Sequence, residues 1–274
     1  MAGCVSNGAF ALFVVQEASL VFRCPSTMTL ESASTISFAS ITAALGLFHH
    51  MNLPMPPNTN EESLLVWSGS TSVGQYAIQL GKASGCFVIT TASTDRHSYL
   101  KELGADICFD YKDANVVQKI REITTNRLIY AIDCISNKDS IRSVCSILSN
   151  ETTCHLATVV PALPNEIPSH IQEHSIFIYT IFGRDIELMG KTYKAKLEEK
   201  IFAEKFMKLL SDLLLPQGFV KPNQTTKLPG GFNGIEQGFQ KMKNNQVKGE
   251  KLVYSINETV YNNVSFINRC RKSK

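Results

Sequence analysis

Seven consecutive residues, Ser68-Gly69-Ser70-Thr71-Ser72-Val73-Gly74, separate an apolar run, Leu64-Leu65-Val66-Trp67, from a segment with helical spacing of apolar positions. A strand that passes through a small-residue turn into a helix is suited to holding an anion. Free N–H groups and the positive end of the helix dipole both face that turn. In its dinucleotide-binding form the first glycine makes the tight turn, the second admits the diphosphate, and the third lets helix pack on strand. Aligned on the helix, Gly69 is the first and Gly74 the third, while Thr71 takes the middle place. Its Cβ should push a diphosphate slightly outward, and the hydroxyls of Ser70, Thr71 and Ser72 would supply donors in part compensation. An ordinary βα turn rich in small residues is the competing reading.

The end of the next strand bears on the choice of cofactor. An acidic residue about twenty positions after the first glycine would bind the ribose hydroxyls of NADH. Here the strand runs Cys86-Phe87-Val88-Ile89-Thr90-Thr91 and ends Ala92-Ser93, followed by Thr94-Asp95-Arg96-His97. A hydroxyl and a nearby guanidinium are what a ribose 2′-phosphate needs. Hydrogen bonds to charged groups contribute roughly 1.5–3 kcal/mol each, so one or two would shift preference about ten- to a hundredfold. NADPH is therefore expected, with Ser93, Thr94 and Arg96 as contacts. Asp95 is expected to cap the following helix, with the ribose as its alternative.

Other chemistry-bearing residues are weaker candidates. His49 and His50 are adjacent, and adjacent helical positions diverge by about 100°. No third ligand lies beside them in sequence, so a surface or helix-end pair is expected, not a metal site. Asp133-Cys134 could pair a carboxylate with a nucleophile, but no histidine adjoins them and a packing role is favoured. The cysteines stand at 4, 24, 86, 108, 134, 145, 154 and 270, with no CxxC pair. Zinc needs closely spaced ligands and disulfide frameworks belong to short secreted chains. Free thiols in a reducing, cytoplasmic setting are expected.

The elements that must position these residues follow from periodicity. Val73, Ala77, Leu80 and Gly81 lie on one helix face. Beyond it, helices at 95–103, 113–124 (capped by Asp113) and 138–149 alternate with strands at 106–110, 128–134 and 153–160, and a last apolar run covers 175–182. Apolar strands separated by short helices mean an α/β fold, a doubly wound parallel sheet. Strand-like pieces (Ala9–Val15, Ser19–Arg23) and a helix over 31–50 precede it, joined to it by a loop at 52–62. Helices near 194–215 and 233–244 and a strand at 250–256 follow. Residues 51–192 are taken as the nucleotide-binding domain, 1–50 and 193–256 as the flanking parts, and 257–274 as a tail.

Composition excludes several classes. Lys and Arg number 27 against 24 acidic residues, a net charge of +3, so nucleic acid and anionic lipid have no electrostatic case. No unbroken apolar run nears the roughly 18 residues that span a bilayer. The N-terminus has no basic residue ahead of its apolar patch, so it reads poorly as a signal peptide, and Ala2 stands where myristoylation needs glycine.

Taken together, these segments resemble the medium-chain dehydrogenase/reductase superfamily. The nearest branches are the zinc-free fungal trans-acting enoyl reductases that partner polyketide synthases, and the yeast NADPH-dependent aldehyde and quinone reductases. The resemblance rests on Ala43-Ala44-Leu45-Gly46-Leu47, Gly69-Ser70-Thr71, Gly104-Ala105-Asp106, Phe109-Asp110-Tyr111 and Ala131 through Asn137. Thr180-Ile181-Phe182-Gly183, Gly230-Gly231-Phe232 and Gly249 through Val253 complete it, over about residues 8–256. It implies a Rossmann domain plus part of a GroES-like β domain built from the two chain ends, with an N-terminally shortened form of that domain. It implies that Ser70–Val73 and Ser93–Arg96 contact cofactor phosphates and ribose, with Tyr111 at the adenine end. Thr158 and Val159 would meet the nicotinamide half, and Leu252 and Val253 would complete the pocket. Ile41, Thr42, Leu45 and Phe48, with Tyr179, Thr180, Ile181, Phe182 and Gly183, would line the substrate site, Thr42 being nearest the reacting centre. Zinc-dependent relatives carry a catalytic cysteine just ahead of the cofactor domain, and none occurs between Cys24 and Cys86. The implied activity is hydride transfer from NADPH to an activated C=C bond or a small aldehyde or quinone. The alternative is an inactive NADPH-binding fragment serving as partner subunit or sensor. A monomer or a homodimer, the latter by edge pairing near 175–182, fits either.

Overall fold

Leu64, Leu65 and Val66 are wholly buried, and they form the centre of the sheet. The structure, a computed structural model, describes residues 10–162, 166–188 and 190–259. It opens with a 3-10 turn at Ala18–Leu20 and one α-helical turn, α1 (Leu30–Ala33), then α2 (Ser37–Ala44), which continues as a π-helical turn over Leu45–His50. The alternating part comprises β1 (Ser63–Trp67), α3 (Ser72–Ala83), β2 (Phe87–Thr91), α4 (His97–Glu102), β3 (Ile107–Phe109) and α5 (Val116–Ile123). It continues with β4 (Tyr130–Asp133), α6 (Lys138–Ile147), β5 (Cys154–Thr158) and β6 (Ile171–Ser175). These strands form one parallel sheet in the order β3-β2-β1-β4-β5-β6. The order reverses between β1 and β4, and a ligand crevice opens at such a switch point beyond the strands' C-terminal ends.

Period-2 alternation explains how the sheet is covered on both faces. Leu64 and Val66 join a cluster with Ile41, Leu45, Tyr76 and Phe206, while Leu65 and Trp67 join one with Ile89, Ile120, Val144 and Leu156. Adjacent strand residues point to opposite faces, so one apolar run supplies both cores. The stretch Leu30–His50 is long and apolar enough to cross a bilayer by length and composition, and 67% of its apolar window is buried within the protein. Serines and threonines interrupt it, which is why no unbroken apolar run marks it in the sequence.

After the sheet come a hairpin of β7 (Ile186–Leu188) and β8 (Lys191–Tyr193), then α7 (Leu197–Leu209), running on as a π-helical turn at Leu210–Leu214. Finally β9 (Thr225–Leu228) pairs in parallel with β10 (Lys251–Tyr254), with α8 (Ile235–Lys243) between them in sequence.

Several sequence expectations need correction. The sixth strand is 171–175, more polar than expected; the apolar run after it turns into a 3-10 helix at Ile178–Phe182, so it offers no strand edge. No strand occurs between residues 10 and 30, where Phe13 is 90% and Val15 82% exposed. An apolar strand-like piece without a partner ladder leaves its backbone groups unpaired and does not persist as a strand. Asp113 does not cap α5; its carboxylate accepts from Asn115 N in the turn before it. Residues 260–274, most of the expected tail, and Ala9 of the Ala9–Val15 piece lie outside the described residues.

The C-terminal part is fastened to the sheet through polar groups on α3. Gln79 Nε2 donates to Lys221 O at 3.3 Å and Gln79 Oε1 accepts from Lys221 N at 2.7 Å. Tyr76 Oη accepts from Asn223 N at 3.3 Å, and Gln75 Nε2 donates to Gly249 O at 2.9 Å. Gln79 is 3% exposed, so its own amide has no water to fall back on. Gln79→Leu should therefore lower stability by about 1–3 kcal/mol through the loss of its two hydrogen bonds to Lys221. The expected readout is a lower denaturant midpoint with an unchanged m-value.

Candidate functional site

Between β1 and α3 the chain turns at Ser68, whose φ is +65°. Two contacts to β2 hold it there: Ser68 N donates to Thr91 Oγ1 at 3.0 Å and Gly69 N to Thr91 O at 2.9 Å. A Cβ on Gly69 would meet Ile78 Cδ1 at 2.8 Å, and one on Gly74 would meet Ser68 O at 2.6 Å. Gly74 thus has the role expected of it, close helix–strand packing. The left-handed residue of the turn is Ser68, and Gly69 is needed for space instead.

Thr71 differs from its expected role. Its hydroxyl accepts from Gly74 N at 3.1 Å and donates to Ser68 O at 3.0 Å, so it caps α3 and has no proton left for a phosphate. The cap engages the amide of Gly74, and the amides of Ser72 and Val73, ahead of the first intrahelical bond, find no acceptor among the described residues. A concave turn with two free amides at a helix start and two glycines beneath it fits a dinucleotide's diphosphate.

A cleft of about 490 Å³ opens from this turn, lined by Trp67, Ser68, Ser70, Thr71, Thr91, Ala92, Ser93, Tyr111, Ile135, Asn137, Asp139, Ser140 and Ser143. It sits at the switch point between β1 and β4. Of the expected cofactor residues, Ser70, Thr71, Ser93 and Tyr111 line it, Gly69 and Gly74 lie in the adjoining turn without lining it, and Ser72 and Val73 begin α3. Thr94 and Asp95 are exposed in the next turn.

Arg96 is placed elsewhere. Its Nη2 donates to Gly249 O at 3.0 Å and its guanidinium lies 5.3 Å from the Tyr99 ring centre, so it does not line the cleft. Thr158 and Val159 are likewise occupied: Thr158 Oγ1 donates to Glu173 at 2.7 Å and Val159 N to Ser136 Oγ at 2.9 Å. Leu252 and Val253 lie in β10, paired with β9, outside the cleft lining.

The expected substrate segments do come together, but as core. Phe38 of α2 meets Tyr179 edge-on at 6.0 Å, and Ile41, Leu45, Phe48, Tyr179 and Ile181 share one buried cluster. Thr42 is buried and donates to Phe38 O at 2.6 Å, so its hydroxyl back-bonds along its own helix. Thr180 donates to Phe177 O at 2.6 Å and also meets the buried Glu199 carboxylate. Phe182 packs at the edge of that cluster, and Gly183 closes the 3-10 turn with φ +60°.

The far wall, residues 135–143, was not expected from the sequence as a site. It is built by Asp133, which is fully buried. Oδ1 accepts from Ile135 N at 3.0 Å and Ser136 N at 2.9 Å, and Oδ2 from Ser140 Oγ at 2.5 Å. Burial holds this carboxyl above its usual range, against the pull of those hydrogen bonds. Asn137 and Ser140 cap α6 reciprocally, Asn137 Oδ1 accepting from Ser140 N at 2.8 Å and Asn137 N donating to Ser140 Oγ at 3.0 Å. The Asn-x-x-Ser spacing was the signal that could have found this wall. Cys134 is buried and burial pushes its thiol up, which is a packing role. Every cysteine among the described residues is unpaired.

His49 and His50 are half-buried and do have a third neighbour. Glu199 of α7 brings a carboxylate beside them, the ligand atoms of all three lying within 4.8 Å of one another. Burial pulls the His50 imidazole down to about 4, against the raising effect of Glu199, so at neutral pH their 3.6 Å approach joins a neutral ring to a carboxylate. This is the one such group of three among the described residues; it contains no cysteine and none of its members lines the cleft.

Residues 72–203 match the zinc-binding dehydrogenase family. A trans-enoyl reductase of Talaromyces variabilis is 32% identical over 257 residues, covering 91% of this chain and 68% of the relative. One from Aspergillus niger is 30% identical, covering 91% and 71%. Among solved structures, the CurK enoyl reductase aligns with a TM-score of 0.65 at 16% identity, over 85% of this chain and 64% of its own. An alcohol dehydrogenase superfamily protein from Novosphingobium aromaticivorans gives 0.68 at 19%, over 86% and 66%. At these identities the structural likeness is one of fold. The chain spans 64% and 66% of those two structures and 68% and 71% of the two fungal reductases.

Asp133→Ala should cost roughly 3 kcal/mol, since three donors lose one buried acceptor. Asp133→Asn keeps an Oδ1 acceptor for the two amides and should cost clearly less in the same urea titration.

Proposed function

This chain belongs to the medium-chain dehydrogenase/reductase superfamily, in its enoyl reductase-like branch, and from that we propose that it reduces an activated C=C bond with NADPH. The observation that carries the reading is the amide-lined turn at the sheet's switch point. Ser72 N and Val73 N would bind the diphosphate, with Gly69 and Gly74 leaving room beneath it. Ser93 would hold the adenosine ribose, and Tyr111, 48% exposed at the cleft's rim, would cover the adenine. Bound there, the cofactor supplies the hydride. The protein orients the two reactants and offers N–H donors to oxygen as negative charge develops on it.

NADPH over NADH rests on the acid-free tip of β2, where Thr91, Ala92 and Ser93 line the cleft. Arg96, turned to Gly249, takes no part in this assignment. The only acid in the lining is Asp139, across the cleft on α6. Zinc independence is supported by the donor set: the lining residues include no histidine or cysteine. The enoyl substrate is placed ahead of aldehydes and quinones because the fungal relatives carry that name. A carrier-bound enoyl group presented by a polyketide-synthase-type partner, in the cytoplasm, extends the same reading.

Trp67 lines the cleft, so NADPH should quench its fluorescence saturably, and folded protein without saturable quenching overturns the assignment. Ser93→Asp should weaken NADPH by about tenfold or more, through charge repulsion of the 2′-phosphate, and leave NADH unchanged or tighter. Equal effects on both cofactors would refute the 2′-phosphate role. Enoyl thioesters and enones should be reduced with NADPH oxidation followed at its absorbance. Saturable binding with no turnover on any of them would leave an NADPH-binding partner or sensor instead of an enzyme.

A further inference from the structure

We propose that His49, His50 and Glu199 form a divalent transition-metal site that fastens α7 to the π-helical end of α2. It lies apart from the cofactor cleft and does not depend on the proposed reduction. Two imidazoles and one carboxylate are the donor set of zinc-class ions, and too poor in oxygen for calcium or magnesium.

Geometry supports this. Each residue presents one ligand atom, and all three atoms lie within 4.8 Å of one another. His50 Nε2 stands 3.6 Å from Glu199 Oε1, too far for a good hydrogen bond. Bond lengths of about 2.0–2.2 Å to zinc place two tetrahedral ligands roughly 3.4 Å apart, so this separation suits a shared ion. The same Nε2 is buried without a hydrogen-bond partner. A buried polar nitrogen left unpaired costs stability, and a metal ion is a partner that would satisfy it.

The carboxylate is built into the fold. Glu199 is 1% exposed, and the Thr180 hydroxyl lies against its other oxygen, leaving Oε1 toward His50. That oxygen is also met by Lys196 Nζ at 2.7 Å, whose side chain is 45% exposed. The ammonium is a competitor at the rim and can swing into water when a metal arrives. Around the histidines, Phe202 packs on the His49 ring at 5.3 Å and His174 stacks on His50 at 6.0 Å. These rings hold the imidazoles in place. The π-helical turn over Leu45–His50 lets the two adjacent histidines approach one carboxylate, and irregular helix turns of this kind recur at functional sites. Three protein ligands leave a fourth position for water.

The test uses the full chain, first treated with a chelator, then titrated with Co²⁺. Expected are one equivalent of Co²⁺, a visible absorption of tetrahedral intensity, its loss on adding Zn²⁺, and a higher melting temperature with Zn²⁺. His49→Ala and Glu199→Gln should weaken binding by at least the roughly 10–100-fold that loss of an outer-shell partner costs. Lys196→Ala should tighten it by removing the competing charge, a result a general loss of structure cannot mimic. His174→Ala, which removes only a stacking ring, should retain stoichiometric binding. The proposal is overturned by the absence of a Co²⁺ spectrum, by a thiolate charge-transfer band, by binding unchanged in His49→Ala, or by binding lost in His174→Ala. None of these readouts involves NADPH, so failure here leaves the reductase reading untouched.

Discussion

The constraint on which the rest of the structure depends is the absence of room at Gly74. Ser68 O lies where its Cβ would be, 2.6 Å away, so α3 can start only directly against the end of β1. That proximity forces Ser68 into a left-handed conformation and leaves the first amides of α3 facing outward together. Strain of that kind persists only where neighbours over-determine it. Here they do: Thr91 binds both Ser68 N and Gly69 N, and Thr71 closes the turn from the other side. The outward-facing amides that the proposed diphosphate site would use are thus a consequence of packing. The same close start sets the direction of α3, and so where Gln75, Tyr76 and Gln79 meet the C-terminal arm.

Legibility in the sequence divided along a physical line. The sheet and its helices were readable because apolar alternation and helical spacing are local signals with one tertiary solution. Leu64-Leu65-Val66-Trp67 could only be a strand buried on both faces. The sixth strand was not readable, because Ile171–Ser175 carries Gln, Glu and His and is made a strand by its ladder to β5. The N-terminal pieces failed in the opposite sense: they have strand composition and no ladder.

Site residues were legible where backbone geometry decides and illegible where a hydroxyl's partner decides. Gly74 was assigned correctly because only a missing Cβ fits. Thr42 and Thr71 were expected to offer hydroxyls to ligands, and Thr158 and Thr180 to line the site, yet each donates its proton within the protein. A threonine in or beside regular structure has carbonyls within reach, and a buried hydroxyl left unbonded is costly. Side-chain type alone could not reveal this. Nor could it reveal Glu199 beside His49 and His50, since that contact joins residues about 150 positions apart.

Gly249 draws these threads together. Its carbonyl accepts from Gln75 behind the phosphate turn and from Arg96 beyond the tip of β2. A Cβ there would collide with that guanidinium, and its φ of +66° is one that favours glycine. The arm that carries β10 is therefore pinned at one backbone oxygen both to α3 and to the 3-10 turn at Thr94–Arg96 that leads into α4. Arg96 serves that join, so on the proposed reading discrimination between the two nicotinamide cofactors would fall to the residues that line the cleft. At the tip of β2 these are Thr91, Ala92 and Ser93, all uncharged, of which Ser93 is the one partly exposed. On that reading the electrostatic contrast would be set by what is absent from the strand end, a carboxylate, more than by a dedicated cation.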